Sequence, residues 1–400
     1  MYEPSLNERK KEFGWPLLAA AAGLMVLGVA FVFSATSGHE AAAGTVWYKQ
    51  TWAHQGLWDI LGVGAAAAVC AVDYAPLARW SIVVYCGAIL VLVAVFGIGT
   101  EHLGAKRWIN LGSFFSLQPS EVAKIGFILL MAHFLSRPVE ELRRSRVVWT
   151  ALGLTALPFA LILKEPDLGS ALVFLPVSLA MMFVGGVPNS WLARLVGGMS
   201  LLAVLLLAAI LFAPPQFKIV EPYQKVRLLT YFGRDFAPRN ASPQERKALR
   251  KLRREKSYNV QQALISVGSG GLFGKGWRQG TQHSLGFLPR AGAHNDFIFS
   301  VIAEEEGFVG SVVVLTLYAV LLFDGIRIAS RARDRLGQLL AIGVVTLLFC
   351  HVFINIGMNI GLMPVTGIPL PLISYGGSSV VCSLIAIGIL HNVHIYRRSY

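Results

Sequence analysis

The chain has 400 residues, of which 55% are hydrophobic and only 14% charged. Soluble domains carry roughly 25% charged residues, so this composition excludes an ordinary soluble enzyme or binding module. A net charge of +13 on a membrane-embedded chain points to anionic head groups and anionic lipid-linked substrates as partners, and away from nucleic acid.

A helix needs about 20 apolar residues to cross a bilayer. Ten runs meet or approach that length: 15–34, 56–72, 82–98, 122–135, 147–163, 170–184, 192–212, 297–323, 339–356 and 379–393. The expected fold is an all-α polytopic membrane protein with about ten transmembrane helices, one transmembrane domain over residues 1–400. It has one long extracytoplasmic loop, 214–296, and a Pro/Gly-rich final outer loop. The first run follows Arg9, Lys10 and Lys11 and is too long for a signal h-region, so it reads as a retained helix. Four cysteines, Cys70, Cys86, Cys350 and Cys382, stand singly in apolar runs without a CxxC pair. That pattern argues for core packing, and against a zinc site or a disulfide frame.

Loop charge sets the orientation. With the N-terminus inside, the short inner segments hold fifteen basic residues, among them Arg79, Arg143, Arg194, Arg333 and Arg397, against four in the short outer loops: Lys49, Lys106, Arg107 and Lys164. The positive-inside rule then puts both termini in the cytoplasm. The long outer loop carries nine basic residues between 233 and 256, but loops beyond ~60 residues cross largely regardless of charge. Its stretch "SPQERKALRKLRREK" reads as a solvated or interfacial basic helix, capped by Ser242 with Pro243 in its first turn and Glu245 three residues on. The far half of the loop is rich in glycine. "GLFGKG" is not a phosphate loop, because Ser269 stands where the first glycine is required and Gly276 where a magnesium-binding hydroxyl is required. Its glycines serve tight turns and close backbone approach.

Ionisable groups in or beside spans are costly, so each is a functional candidate. Glu121 and Lys124 share one face at the start of the fourth run, as a structural ion pair or a substrate-binding one; Pro119 suits the first turn there. Arg107 and Lys106, beside Trp108, suit a membrane interface or a phosphate. Glu165 and Asp167 flank Pro166 in the turn between the fifth and sixth runs, where a helix cap is the alternative role. Asp296 stands where the eighth run begins, as an N-cap or as an acid–base group. Glu304, Glu305 and Glu306 cannot all face lipid, so at least one faces a polar cavity or a cation. The final outer loop holds Pro364, Pro369, Pro371, Gly376 and Gly377. Irregular backbone of that kind survives at membrane depth only inside protein or along a cavity.

Several of these stretches agree with one family. "GAKRWINLG", "LQPSEVAK", "EPDLGSA", "YQKVR", "VGSGGLFGKGWRQGTQ", "DFIFSVIAEEEGFVG" and "FINIGMNIGLMPVTGIPLPLISYGGSS" run in order from about Gly104 to His391. Together they resemble the successive signatures of the SEDS family (shape, elongation, division, sporulation). The last stretch is more similar to the elongation, RodA-type branch than to the division, FtsW-type branch. The resemblance implies a peptidoglycan glycosyltransferase, an inverting hexosyltransferase that polymerises lipid II at the outer face of the bacterial cytoplasmic (inner) membrane during elongation. It implies a class B penicillin-binding protein as the transpeptidase partner. It maps the family's essential aspartate to Asp296 and its polar-cavity residues to Glu121, Lys124 and Asp167, and it sets Arg107 and Arg227 at the pyrophosphate. No protein metal site is expected, and a divalent cation is left open. The segment before Asp296 departs from the family pattern Phe-Leu-Pro-Glu-x-His-Thr-Asp: Arg290 replaces the Glu, Asn295 replaces the Thr, and two residues are added. The competing readings are a flippase for the same lipid, which would want coupled ionisable groups near the midplane, and a scaffold that activates its partner.

Overall fold

The computed structural model describes residues 14–42, 44, 46–102, 105–112, 115–212, 258–288 and 290–398. Arg227 and the basic stretch 233–256 lie outside the described residues. Each of the ten apolar runs becomes a helix, numbered here in chain order: α1 (Trp15–Ala42), α2 (Thr51–Ala71), α3 (Ser81–Ile98), α4 (Pro119–Leu135), α5 (Ser145–Lys164), α6 (Leu168–Gly185), α7 (Asn189–Phe212), α8 (Ile298–Ser330), α9 (Arg335–Asn359) and α10 (Gly377–Ile395). Eight of them are long and apolar enough to cross a membrane. The other two are α2, with 21 residues, and α4, with 17. Pro119 opens α4 as expected, and fourteen residues of α4 are buried against its neighbours.

In lipid the helices gain little from the hydrophobic effect, so close approach and polar contacts hold them together. Most of α9 and α10 is buried, whereas the apolar stretch of α7 is not buried at all. α10 lies along α2, where Gly388 meets the backbone of Ala66 and Gly62 meets Leu384. Polar side chains fasten one end of the bundle. Arg333 pairs with Asp73 at 3.0 Å, Tyr74 donates to Asp334 at 2.9 Å, and Asn392 donates to the carbonyls of Val69 and Val72, each at 2.6 Å. Gly14 lies beside His391 and His394 at this same end, as an even number of crossings requires.

The all-α polytopic bundle is present as expected, and three details are added to it or corrected. First, it carries a small sheet between α3 and α4. Strands β1 (Thr100–His102), β2 (Ala105–Leu111) and β3 (Phe115–Leu117) form an antiparallel meander in the order β1-β2-β3. The outer strands have three residues each, too few for alternation to register in a sequence. Second, Cys86 is exposed, unlike the buried Cys350 and Cys382; it faces outward from α3.

Third, the eighth run is not one continuous helix. Its 33 residues would reach about 50 Å, well beyond a ~30 Å hydrocarbon core, and it breaks at Gly307, where φ is 65° and ψ −156°. The glycine-rich half of the long loop straps this break. Lys275 and Gly276 donate backbone N–H bonds to the carbonyls of Glu304 and Glu305, and Gly271 and Leu272 accept from Phe308 and Val309. A Cβ on Gly270 or Gly274 would collide with the carbonyls of Ala303 or Glu305, which is why glycine stands there.

Buried Glu304 tightens the strap. It accepts from Lys275 Nζ, from Thr281 N at 2.8 Å and from Ser266 Oγ at 3.0 Å. Glu305 accepts from Ser34 of α1 at 2.6 Å. One of the three carboxylates thus meets a cation, as expected. Gly274→Ala adds a methyl group where φ is +77° and no space exists, so it is expected to cost at least ~1–3 kcal/mol. Gly268→Ala, at a helical position with nothing within 4 Å, serves as the neutral control in thermal unfolding of the detergent-solubilised protein.

Candidate active site

Asp296 lies in the turn that leads into α8. The N-cap position of that helix is Phe297, so Asp296 stands one residue before the cap. The turn is held by its carbonyl groups. Tyr375 N donates to His294 O at 2.9 Å, and Ser374 Oγ donates to Asn295 O at 2.6 Å. Asn355 and Asn359 of α9 donate to Asp296 O at 3.1 and 2.9 Å. The Asp296 carboxylate lies against Gly367 of the loop between α9 and α10, with Oδ2 3.6 Å from where a Cβ would stand.

The same loop meets a second acidic group. Thr366 and Ile368 pack on Gly169 in the first turn of α6. The cap of that helix is Asp167, which accepts from Ser170 N at 3.2 Å and Ser170 Oγ at 2.9 Å. Gln118, the residue before α4, reaches Asp167 at 3.3 Å through its side chain, and its backbone N–H donates to Ser378 Oγ at 3.3 Å. Arg107, on β2, turns inward to this corner: its guanidinium donates to the carbonyls of Glu165 and Pro166. A guanidinium has five N–H donors, so binding this turn leaves others for an anion.

Glu165 itself is buried, and its Oε1 finds no hydrogen-bond partner among the described residues. Burial, with a smaller push from Asp167 and a weaker opposing pull from Arg107, raises its pKa from 4.5 to about 8. The folded protein therefore holds this proton where the unfolded chain has lost it. The linked stability is full below about pH 4.5 and is lost as pH rises through about 8. Glu165→Gln stays neutral throughout. Its melting temperature is expected to match wild type near pH 5 and to exceed it near pH 9, and a constant offset across that range would contradict the assignment.

One turn deeper, Glu121 and Lys124 form a fully internal ion pair. Lys124 Nζ lies 2.7 Å from Glu121 Oε1 and 2.9 Å from His351 Nε2 on α9, and the two charged residues are each 3% exposed. An ammonium only donates, so His351 presents its Nε2 lone pair and carries its proton on Nδ1. The expected i,i+3 pairing is present, and the histidine completes it.

Residues 366–378 thus tie Asp296, Asp167 and the N-terminus of α4 into one corner. Sequence reasoning reached Asp296, Asp167, Glu121, Lys124 and Arg107 but missed His351, Asn355 and Asn359. The signal was present: the three stand at i, i+4 and i+8 in an otherwise apolar run, a polar stripe on one helix face. Among the described residues no group of three or more His, Cys, Asp or Glu side chains is arranged to hold a metal.

Comparison with known proteins agrees with this architecture. The family model for the FtsW, RodA and SpoVE proteins, described as cell cycle proteins, matches residues 15–399. The chain is 39% identical to the peptidoglycan glycosyltransferase MrdB of Escherichia coli K12 over 322 residues, 80% of this chain and 79% of the relative. It is 30% identical to the peptidoglycan glycosyltransferase RodA of Treponema pallidum, covering 96% of this chain and 98% of the relative. Among solved structures, the rod shape determining protein RodA of Thermus thermophilus matches with a TM-score of 0.65 at 28% identity, covering 96% of this chain and 98% of that one. A chain from a peptidoglycan synthase complex that coordinates polymerization and crosslinking matches with a TM-score of 0.75 at 28% identity, covering 97% and 99%.

Proposed function

This chain belongs to the SEDS family, the FtsW/RodA/SpoVE group, and from that premise we propose that Asp296 is the general base of its glycosyl transfer. The protein is a peptidoglycan glycosyltransferase, as its relatives are, and its branch is that of elongation. The substrate is lipid II. A sugar hydroxyl of one lipid-linked unit attacks the anomeric carbon of another; its proton passes to the Asp296 carboxylate, and the polyprenyl pyrophosphate leaves from the opposite face. A positioned base contributes ~10²–10⁴ in rate. Lys124, Arg107 and Arg227 meet the pyrophosphate, where charge accumulates as the bond breaks. Glu121 and Asp167 orient Lys124 and the acceptor. One observation carries this reading: the carboxylate of Asp296 and the Asp167-capped start of α6 both lie against residues 366–368.

The setting follows. Residues 1–400 form a single transmembrane domain in the cytoplasmic membrane, with 214–296 as its outer loop. Arg333 and Arg335 mark the cytoplasmic end, where Gly14 and His394 also meet. The partner is a class B penicillin-binding protein, in keeping with the likeness to a chain of a complex that couples polymerization to crosslinking. The test is polymerisation of lipid II by the purified protein with that partner, whose transpeptidase site is blocked. Glycan strands are expected. Lipid II movement across vesicles without strands would identify a flippase, and strands made only by the partner would identify a scaffold.

A further inference from the structure

We propose that Asn355 and Asn359 are positioning residues for the transfer reaction: their side-chain amides lock the backbone of Asp296 and thereby aim its carboxylate past Gly367. The inference rests on the reading of Asp296 as the base. Both asparagines are completely buried in α9. A carbonyl oxygen has two lone pairs, and on Asp296 the two amides occupy both, at 3.1 and 2.9 Å.

The amides are themselves oriented. Ser300, in the first turn of α8, donates to Asn359 Oδ1 at 2.6 Å, which turns Nδ2 toward Asp296. Asn359 Nδ2 also reaches Asn355 O at 2.9 Å. The Asn355 amide carries a second N–H to Ile368 O at 2.7 Å, so one side chain joins the turn bearing the base to the loop against which the base lies. With the carbonyls of His294 and Asn295 also held by Tyr375 and Ser374, three consecutive carbonyls are pinned. The backbone from which the Asp296 carboxylate projects is thereby fixed.

A structural role would be the plainer account, because buried polar groups need partners and cost ~1–3 kcal/mol when they lack them. Yet the one side chain of a neighbouring helix that bonds either amide among the described residues, Ser300, accepts no N–H from it and leaves Asn359 Nδ2 for the carbonyl. Both amides meet on the one carbonyl that belongs to the acidic residue. Misplacing a reacting group by about 1 Å can cost 10²-fold in rate, so anchoring of this kind is felt in turnover more than in binding.

The experiment uses full-length protein with its transpeptidase-blocked partner and a titration of lipid II. Asn355→Ala and Asn359→Ala are each expected to lower kcat by ~10-fold or more while KM moves less than about 2-fold. The decisive comparison is made in an Asp296→Glu background, where the carboxylate has already been displaced by one methylene. There Asn355→Ala is expected to cost less than about 3-fold more, because the two changes act through one group. Equal losses in both backgrounds, a rise in KM alone, or an unchanged kcat would each overturn the proposal. If Asn355→Ala yields no folded protein, Asn359→Ala carries the same test, since it leaves the Asn355 N–H on the carbonyl. Full activity in Asp296→Asn would instead defeat the reading of Asp296 as base, and normal asparagine variants beside an inactive Asp296→Asn would defeat only the clamp.

Discussion

Asp296→Asn is expected to reduce lipid II polymerisation by ~10²-fold or more while leaving expression and melting temperature unchanged. The substitution keeps the size of the side chain and an oxygen able to accept hydrogen bonds, and it removes the base. The turn is anchored through its backbone, and the substituted amide is isosteric with the carboxylate. Four hydrogen bonds to the backbone carbonyls of residues 294–296 hold it, and the N-cap position of α8 is Phe297. Stability and activity should therefore separate cleanly. Near-normal strand synthesis by Asp296→Asn would remove it as catalyst and shift attention to Asp167 and Glu121.

Lys124→Met is expected to damage both properties. It strips the Glu121 carboxylate of its counter-ion in a site 3% exposed, and breaking a buried pair in this one-sided way costs ~3–5 kcal/mol. The double variant Lys124→Met with Glu121→Leu should recover most of that stability, because replacing a whole buried pair by apolar side chains is often neutral. The two readings of the pair then diverge. If Lys124 meets the pyrophosphate, the stable double variant still makes no glycan, whereas if the pair only holds α4 to α9 through His351, polymerisation returns with the fold. Recovery of strands would take Lys124 out of the proposed site.

The ten helices were legible because length and hydropathy alone decide which segments can cross a bilayer. The paired Glu121 and Lys124 were legible because three residues of spacing put them on one face before any tertiary contact forms. Asp167 was ambiguous between cap and site, and it does cap α6; the sequence could not exclude either role because a cap and a ligand need the same acceptor. What the sequence hid was long-range. The break in α8 is caused by residues thirty or so positions upstream whose backbone, not side chains, fills the gap. The role of Asn355 and Asn359 lies in reaching a carbonyl some sixty residues away, at separations of 59 and 63, and a carbonyl leaves no trace in a residue pattern. The strand carrying Arg107 pairs only with three-residue partners, so its place at the turn of Glu165 and Pro166 became visible only in three dimensions.

The strap across Gly307 also bears on how this chain enters a membrane. Residues 270–276 precede Gly307, so in the proposed orientation they reach the outer side during synthesis before the segment they complete. The stretch 298–306, with its glutamates, can then dock onto a surface already present and need never be threaded through hydrocarbon as part of a continuous helix. Residues 308–330 alone, about 35 Å of helix at 1.5 Å per residue, make the crossing. The translocation machinery thus meets one span free of the three carboxylates, and the polar half of α8 is assembled from outside.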